Sequence, residues 1–161
     1  MPPVPPSKTL LAVRATCFGT VALAFPLSAA LVFGAGVDRH RAADTLSVIY
    51  CVGLILGVFA AFLPLPSLRA WTRAQRVESV ALVFLGMSYA THLSWELGWL
   101  VLRDAIASNP NAPWAYAWWA YIDGGDARYA VGDTLLVAME LLSVTNGTVG
   151  AVALVRFLRS G

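Results

Sequence analysis

Four stretches of this chain are almost free of charge, and each is long enough to cross a bilayer as a helix. Residues 15–37 lie between Arg14 and Asp38, and residues 45–68 between Asp44 and Arg69. Residues 79–102 lie between Glu78 and Arg103, interrupted by His92 and Glu96, and residues 129–155 between Arg128 and Arg156, interrupted by Asp133 and Glu140. A helix needs about 20 apolar residues to span the hydrocarbon core, whereas a barrel would need short alternating segments. The spacing therefore predicts an all-α polytopic membrane protein: a lead-in over residues 1–14, then a bundle of four transmembrane helices at about 15–37, 45–68, 79–102 and 129–157. Composition removes the competing classes. Hydrophobic residues make up 58% of the chain and charged residues 12%, which excludes disorder. A net charge of +2 is too small and too dispersed an excess to make nucleic-acid binding the leading reading. Cys17 and Cys51 both sit in apolar runs, which excludes a disulfide scaffold.

Lys8 and Arg14 ahead of the first run also fit a secretory signal, but the run is long for one and no soluble domain follows it. Pro26 predicts a kink within it, and the four prolines of residues 1–7 predict a disordered lead. Lys8, Arg14, Arg69, Arg73, Arg76, Arg156 and Arg159 fall on one side of a four-span topology, and Arg39, Arg41, Arg103 and Arg128 on the other. The positive-inside rule then puts both termini in the cytoplasm. The connection before the last run is aromatic (Trp114, Tyr116, Trp118, Trp119, Tyr121) and reads as an amphipathic segment in the membrane interface.

Chemistry enters through the ionisable residues at membrane depth. His92 and Glu96 are spaced i, i+4, and Asp133 and Glu140 i, i+7, so each pair shares a helix face. A charge at that depth costs several kcal/mol, on the order of 2.5 to 10, and such groups turn inward and pair. The expectation is one polar pocket between the third and fourth helices, with Ser88, Trp95, Trp99, Tyr129, Ser143 and Gly147 beside it. A carboxylic acid, an imidazole and a second carboxylate around an apolar cavity are equipment for moving a proton on or off a greasy substrate. Plainer roles stay open: Asp133 as a helix cap or partner of Arg128, and His92–Glu96 as a helix-locking bond. One imidazole without a nearby thiolate makes a poor metal site, and no metal or other cofactor is expected.

The segment His92-Leu-Ser-Trp-Glu96-Leu-Gly-Trp99 resembles the H-x-x-x-E-G-W-like segment of the emopamil-binding protein family, which includes the sterol Δ8–Δ7 isomerases and belongs with the EXPERA-domain membrane proteins. Gly125-Asp126-Ala-Arg128-Tyr129, Gly132-Asp133 and Met139-Glu140 are similar to that family's G-D-x-R-Y-x-x-G-D-x-x-x-x-x-M-E pattern, in register, and Trp119 falls where the family has a Trp. The likeness covers about residues 80–157. It implies a protein that shifts a sterol ring double bond by protonating one alkene carbon and deprotonating another through a carbocation. His92, Glu96 and Glu140 would be the catalytic groups. Trp95, Trp99, Trp119, Asp133 and Ser143 would bind substrate, with Trp95 or Trp99 facing the cation. It also implies binding of cationic amphiphilic amines, whose ammonium mimics that cation.

The chain departs from the family where Asn146-Gly147-Thr148 replaces a W-G-P-like step, and where the family's further C-terminal helices would follow. It carries an additional helix at the front instead. A fragment, a pocket completed by a partner subunit (homo-oligomers included) and a protein that binds without turnover all fit. The two leading expectations are thus an isomerase acting on a sterol or other polycyclic lipid, and a non-catalytic lipid or amine binder. A proton-coupled transporter is disfavoured by the lack of an internal repeat. Family members sit in the endoplasmic reticulum; the Arg-rich, Lys-poor usage also suits a bacterial plasma membrane.

Overall fold

The computed structural model describes residues 7–160, and every regular element among them is helical. The proline-rich lead falls mostly outside these residues. Helix α1 (Lys8–Ala35) starts seven residues before the first charge-free run, because Ser7 caps it by accepting from the Leu10 amide at 3.2 Å. Arg14 is kept inside α1 by donating to the carbonyls of Gly57 and Ser79, each at 3.2 Å. The helix passes through Pro26 without a break and ends at Gly36, whose φ of 68° is the left-handed conformation that favours glycine at this position.

Helix α2 (Arg39–Phe59) is displaced toward the N-terminus relative to the expected 45–68. Asp38 caps its start, accepting from the Arg41 amide at 2.9 Å. Its far end tightens into a 3₁₀ turn, Ala60–Phe62, and a second such turn, Pro66–Leu68, follows. Pro64 and Pro66 lack the amide donors that would continue the helix. Arg76 donates to Ala61 O and Leu68 O, both at 2.5 Å, closing off the carbonyls these turns leave open.

The third run forms one helical path in three parts: α3 (Arg73–Thr91), a π-helical turn (His92–Glu96) and α4 (Leu97–Ser108). Thr72 and Gln75 form a capping box at its start. After a 3₁₀ turn (Pro113–Ala115) come the short helices α5 (Tyr116–Asp123) and α6 (Arg128–Val131), and finally α7 (Thr134–Ser160). The expected single helix over 129–157 is therefore broken. Gly132 adopts φ 62°, and Asp133 restarts the chain by accepting from the Leu136 amide at 3.0 Å.

Among the described residues, three helices are long and apolar enough to cross a membrane: Lys8–Ala35, Arg39–Phe62 and Thr134–Ser160. Close approach between them relies on glycine. A Cβ on Gly57 would fall 2.3 Å from the Phe18 ring, and one on Gly53 2.5 Å from Val21, so α1 and α2 lie almost backbone to backbone. On α7, a Cβ at Gly147 would fall 2.6 Å from His92 Cβ, and one at Gly150 2.3 Å from the Tyr89 ring. Glycine thus seats α7 directly on the π turn and the end of α3. Helix α5 folds back onto the α1–α2 pair. Tyr116 is buried with its hydroxyl 2.5 Å from Ser28 Oγ, and Asp123 pairs with Arg39 at 2.7 Å.

Candidate functional site

The π turn is what presents the ionisable residues. One extra residue in a helical turn shifts the hydrogen-bond ladder, a distortion often found at functional sites. Trp118 Nε1 donates to Trp95 O within the turn at 3.1 Å, and the Trp118 ring packs against Gly98 at the start of α4. Inside the turn, His92 Nδ1 lies 2.6 Å from Glu96 Oε2, while His92 Nε2 lies 3.2 Å from Ser88 Oγ. Both ring nitrogens are thereby held, which fixes the imidazole plane.

Glu140 approaches this pair from α7. It is buried, 6% exposed. Its Oε1 accepts a hydrogen bond from the Tyr129 hydroxyl, and its Oε2 has no hydrogen-bond partner among the described residues. The Glu96 carboxyl and the His92 ring are its interacting neighbours. His92, Glu96, Tyr129 and Glu140 thus form one cluster, drawing on the π turn, α6 and α7. A buried carboxyl oxygen without a partner is costly, and here it faces a second carboxyl group.

A cavity of about 520 Å³ lies on the other side of Glu96, within the ~300–1,000 Å³ of typical small-molecule sites. Its walls include Phe25 of α1, Leu46 and Tyr50 of α2, Trp95 and Glu96 of the π turn, Tyr121 of α5 and Tyr129 of α6. Trp95, Tyr121 and Tyr129 pack with ring centroids 5.1 to 5.3 Å apart, making a continuous aromatic wall. Thr91 and Ser94 also line it, but their hydroxyls are engaged by Met87 O and Ala90 O. Among the described residues, Glu96 is the one carboxylate on this wall.

The void differs from the expected one in position. It opens between the α1–α2 pair and the π turn, beside α5, whereas on the α7 side Gly147 packs directly against His92. Of the residues expected at the pocket, Glu96, Trp95 and Tyr129 reach the cavity. His92 and Glu140 are not among its lining residues: His92 Nδ1 is held 2.6 Å from Glu96 Oε2, and Glu140 is hydrogen-bonded to Tyr129. Trp99 is wholly buried and donates to Tyr129 O at 3.0 Å, bracing that tyrosine from behind. Trp119 donates to Ile106 O at 2.8 Å with the Arg39 guanidinium 5.4 Å from its ring, which ties α5 to the end of α4. Asp133 is exposed and serves as the α7 cap; Arg128 pairs instead with Asp126 at 2.7 Å. Ser143 is half-buried on α7, away from the cavity lining. Trp99, Trp119, Asp133 and Ser143 thus do not line this cavity.

Phe25, Leu46, Tyr50 and Tyr121 were not anticipated as site residues. Tyr50 carried a signal, a hydroxyl-bearing ring inside an apolar run. Phe25 and Leu46 look like any lipid-facing residue until the α1–α2 hairpin is known.

Comparison with known proteins gives no match: no family model, curated protein or solved structure aligns with the chain.

Proposed function

We propose that this is a multi-pass membrane protein with four crossings, in which the α3–π turn–α4 path is the third and α5 lies at the interface. Both termini face the cytoplasm in this reading, the endoplasmic reticulum or a bacterial plasma membrane being the host. Its cavity takes an apolar polycyclic lipid, a sterol or a relative, and shifts a ring double bond by proton transfer, as in the sterol Δ8–Δ7 isomerases that residues 80–157 resemble. The observation that carries this reading is Glu96, a carboxyl group set in an aromatic wall and backed by both His92 and Glu140.

The chemistry follows from that placement. A proton delivered from Glu96 to one alkene carbon leaves a carbocation. The ring faces of Trp95, Tyr121 and Tyr129 and the emptied carboxylate stabilise it. Loss of a proton from the neighbouring carbon to a basic oxygen forms the new double bond, with no net change in atoms or electrons. His92 and Glu140 hold the exchanging proton next to Glu96, and Tyr129 couples Glu140 to the wall. The test is to incubate the purified protein with a Δ8-sterol in heavy water. Deuterium at the isomerised ring supports the reading. Unlabelled, unshifted sterol from a protein that still binds an amphiphilic amine refutes turnover.

A second reading, binding without turnover, is favoured by one feature. Only Glu96 and Tyr129 of the cluster line the cavity. One carboxylate within an aromatic cage is sufficient to hold a cationic amine.

A further inference from the structure

The cavity has two dissimilar walls. On the π-turn side the hydroxyls are spent: Thr91 and Ser94 donate to Met87 O and Ala90 O, and Tyr129 donates to Glu140. The α2 side differs. Ser47 and Tyr50, spaced i, i+3, both line the cavity, and neither hydroxyl has a hydrogen-bond partner among the described residues. Thr45, on the same helix but outside the lining, returns its hydroxyl to Arg41 O at 2.9 Å, the bond a helical hydroxyl makes with its own backbone. Ser47 makes no such bond. Its Oγ lies at the end of α5, 3.2 Å from where a Cβ on Gly124 would fall. The Tyr50 ring is held edge-on by Phe25, with centroids 6.2 Å apart and planes at 86°, which limits where its hydroxyl can go.

In the bilayer placement proposed above, Tyr50 sits near the midpoint of the 24-residue span Arg39–Phe62. A hydroxyl at that depth has no bulk water to bond, and leaving it unpaired is costly. The cavity is where a partner can enter. We propose that Ser47 and Tyr50 form a subsite for an oxygen atom, hydroxyl or carbonyl, carried by the polycyclic lipid, across the cavity from the Glu96 carboxyl. Each hydroxyl can donate and accept. Two of them, one helical turn apart, suit an alcohol or a ketone and offer nothing to a hydrocarbon. A site built to bond an oxygen function discriminates against the analogue that lacks it, because its own polar groups are then left unpaired. The subsite therefore narrows the ligand to an apolar ring system with an oxygen function, and it orients that ligand: the oxygen is held at α2 and the rings extend toward the aromatic wall. Positions 47 and 50 lie outside residues 80–157, so the resemblance carried by that stretch assigns them no role. The inference rests on reading the cavity as a lipid site, and it does not require turnover.

The test is competition against a radiolabelled hydrophobic tertiary amine on the purified full chain, with three competitors: a Δ8-sterol, the ketone made from it, and the hydrocarbon left when its oxygen is removed. The parent chain should prefer the sterol or the ketone to the hydrocarbon by about 2- to 10-fold, the effect of one neutral hydrogen bond. The stronger of the two names the oxygen group. Tyr50→Phe should bring that ratio close to one, and Ser47→Ala should lower it. Tyr89→Phe, whose ring packs at Gly150 of α7 and does not line the cavity, should keep it. Tyr50→Phe and Ser47→Ala remove hydroxyls that bond nothing in the fold, so both should melt in detergent as the parent does. A parent ratio of one, a ratio that survives both substitutions, or a ratio lost in Tyr121→Phe alone would overturn the subsite and leave the lipid reading of the cavity standing. Competition by none of the three lipids, with the amine still bound, would overturn that reading and the subsite together.

Discussion

Replacing Gly147 with alanine adds one methyl group at the tightest helix contact in the site. That carbon would lie 2.6 Å from His92 Cβ and 3.3 Å from two ring carbons. Carbon atoms pack best at about 3.5–4.0 Å, so α7 must retreat from the π turn by roughly 1 Å. The obstacle is a Cβ anchored to helical backbone, and no rotamer change relieves it. Overpacking of this kind costs about 1–3 kcal/mol. The functional loss should be larger than the stability loss, because the same movement withdraws Glu140 from Glu96; a 1 Å misplacement of reacting groups costs about 100-fold in rate. Gly150→Ala is the control. Its methyl meets the outer end of the Tyr89 ring, a half-buried side chain that can swing aside. Thermal unfolding in detergent should show a clear drop for Gly147→Ala and a smaller one for Gly150→Ala, with amine binding and sterol turnover reduced mainly in the first. A Gly147→Ala protein with parental melting and parental activity would refute the claim that contact between α7 and the π turn organises the site.

Other expectations follow from single groups. Glu140→Gln keeps an acceptor for the Tyr129 hydroxyl, so the fold should survive in detergent while turnover is abolished; unchanged deuterium incorporation would remove Glu140 from the site. Asp133→Ala should cost about 0.5–2 kcal/mol through loss of the α7 cap, leaving amine affinity within twofold; a large affinity loss would return Asp133 to the pocket. Asp126, in the loop before α6, is held below the usual carboxylate range by its hydrogen bond with Arg128. A depressed folded-state value means its contribution to stability is present above the ordinary aspartate range, about pH 4, and is lost as pH falls through the lower folded value. Arg128→Ala should flatten that acid limb in pH-dependent unfolding and move the Asp126 carboxyl resonance titration upward; an unmoved titration would contradict the pairing.

The helical architecture was legible because oily surroundings forbid scattered charge, so charges mark where apolar runs end. Helix boundaries were less legible. A run between charges ignores caps: Ser7 and Asp38 start α1 and α2 early, and Pro64 and Pro66 end the second run's helix before the charge at Arg69. The grouping of His92, Glu96 and Glu140 followed from their cost at depth, and the structure places them together. Asp133 shows the limit of that reasoning. An acid one turn from a helix start satisfies the same spacing whether it caps or binds, and only the Leu136 amide decides between them. The cavity's location was hidden for a different reason. It depends on glycine contacts that close one side of the π turn and on a hairpin that leaves the other side open. Neither leaves a periodic trace in the sequence.

The most direct test is binding of a radiolabelled hydrophobic tertiary amine to the purified protein and to Glu96→Gln. The cavity and its carboxylate predict saturable, one-to-one binding by the parent chain. They also predict its loss in the variant by about 2–5 kcal/mol, the cost of removing one partner from a buried charge pair. Equal affinity for the two proteins would contradict the assignment of this cavity as the functional site.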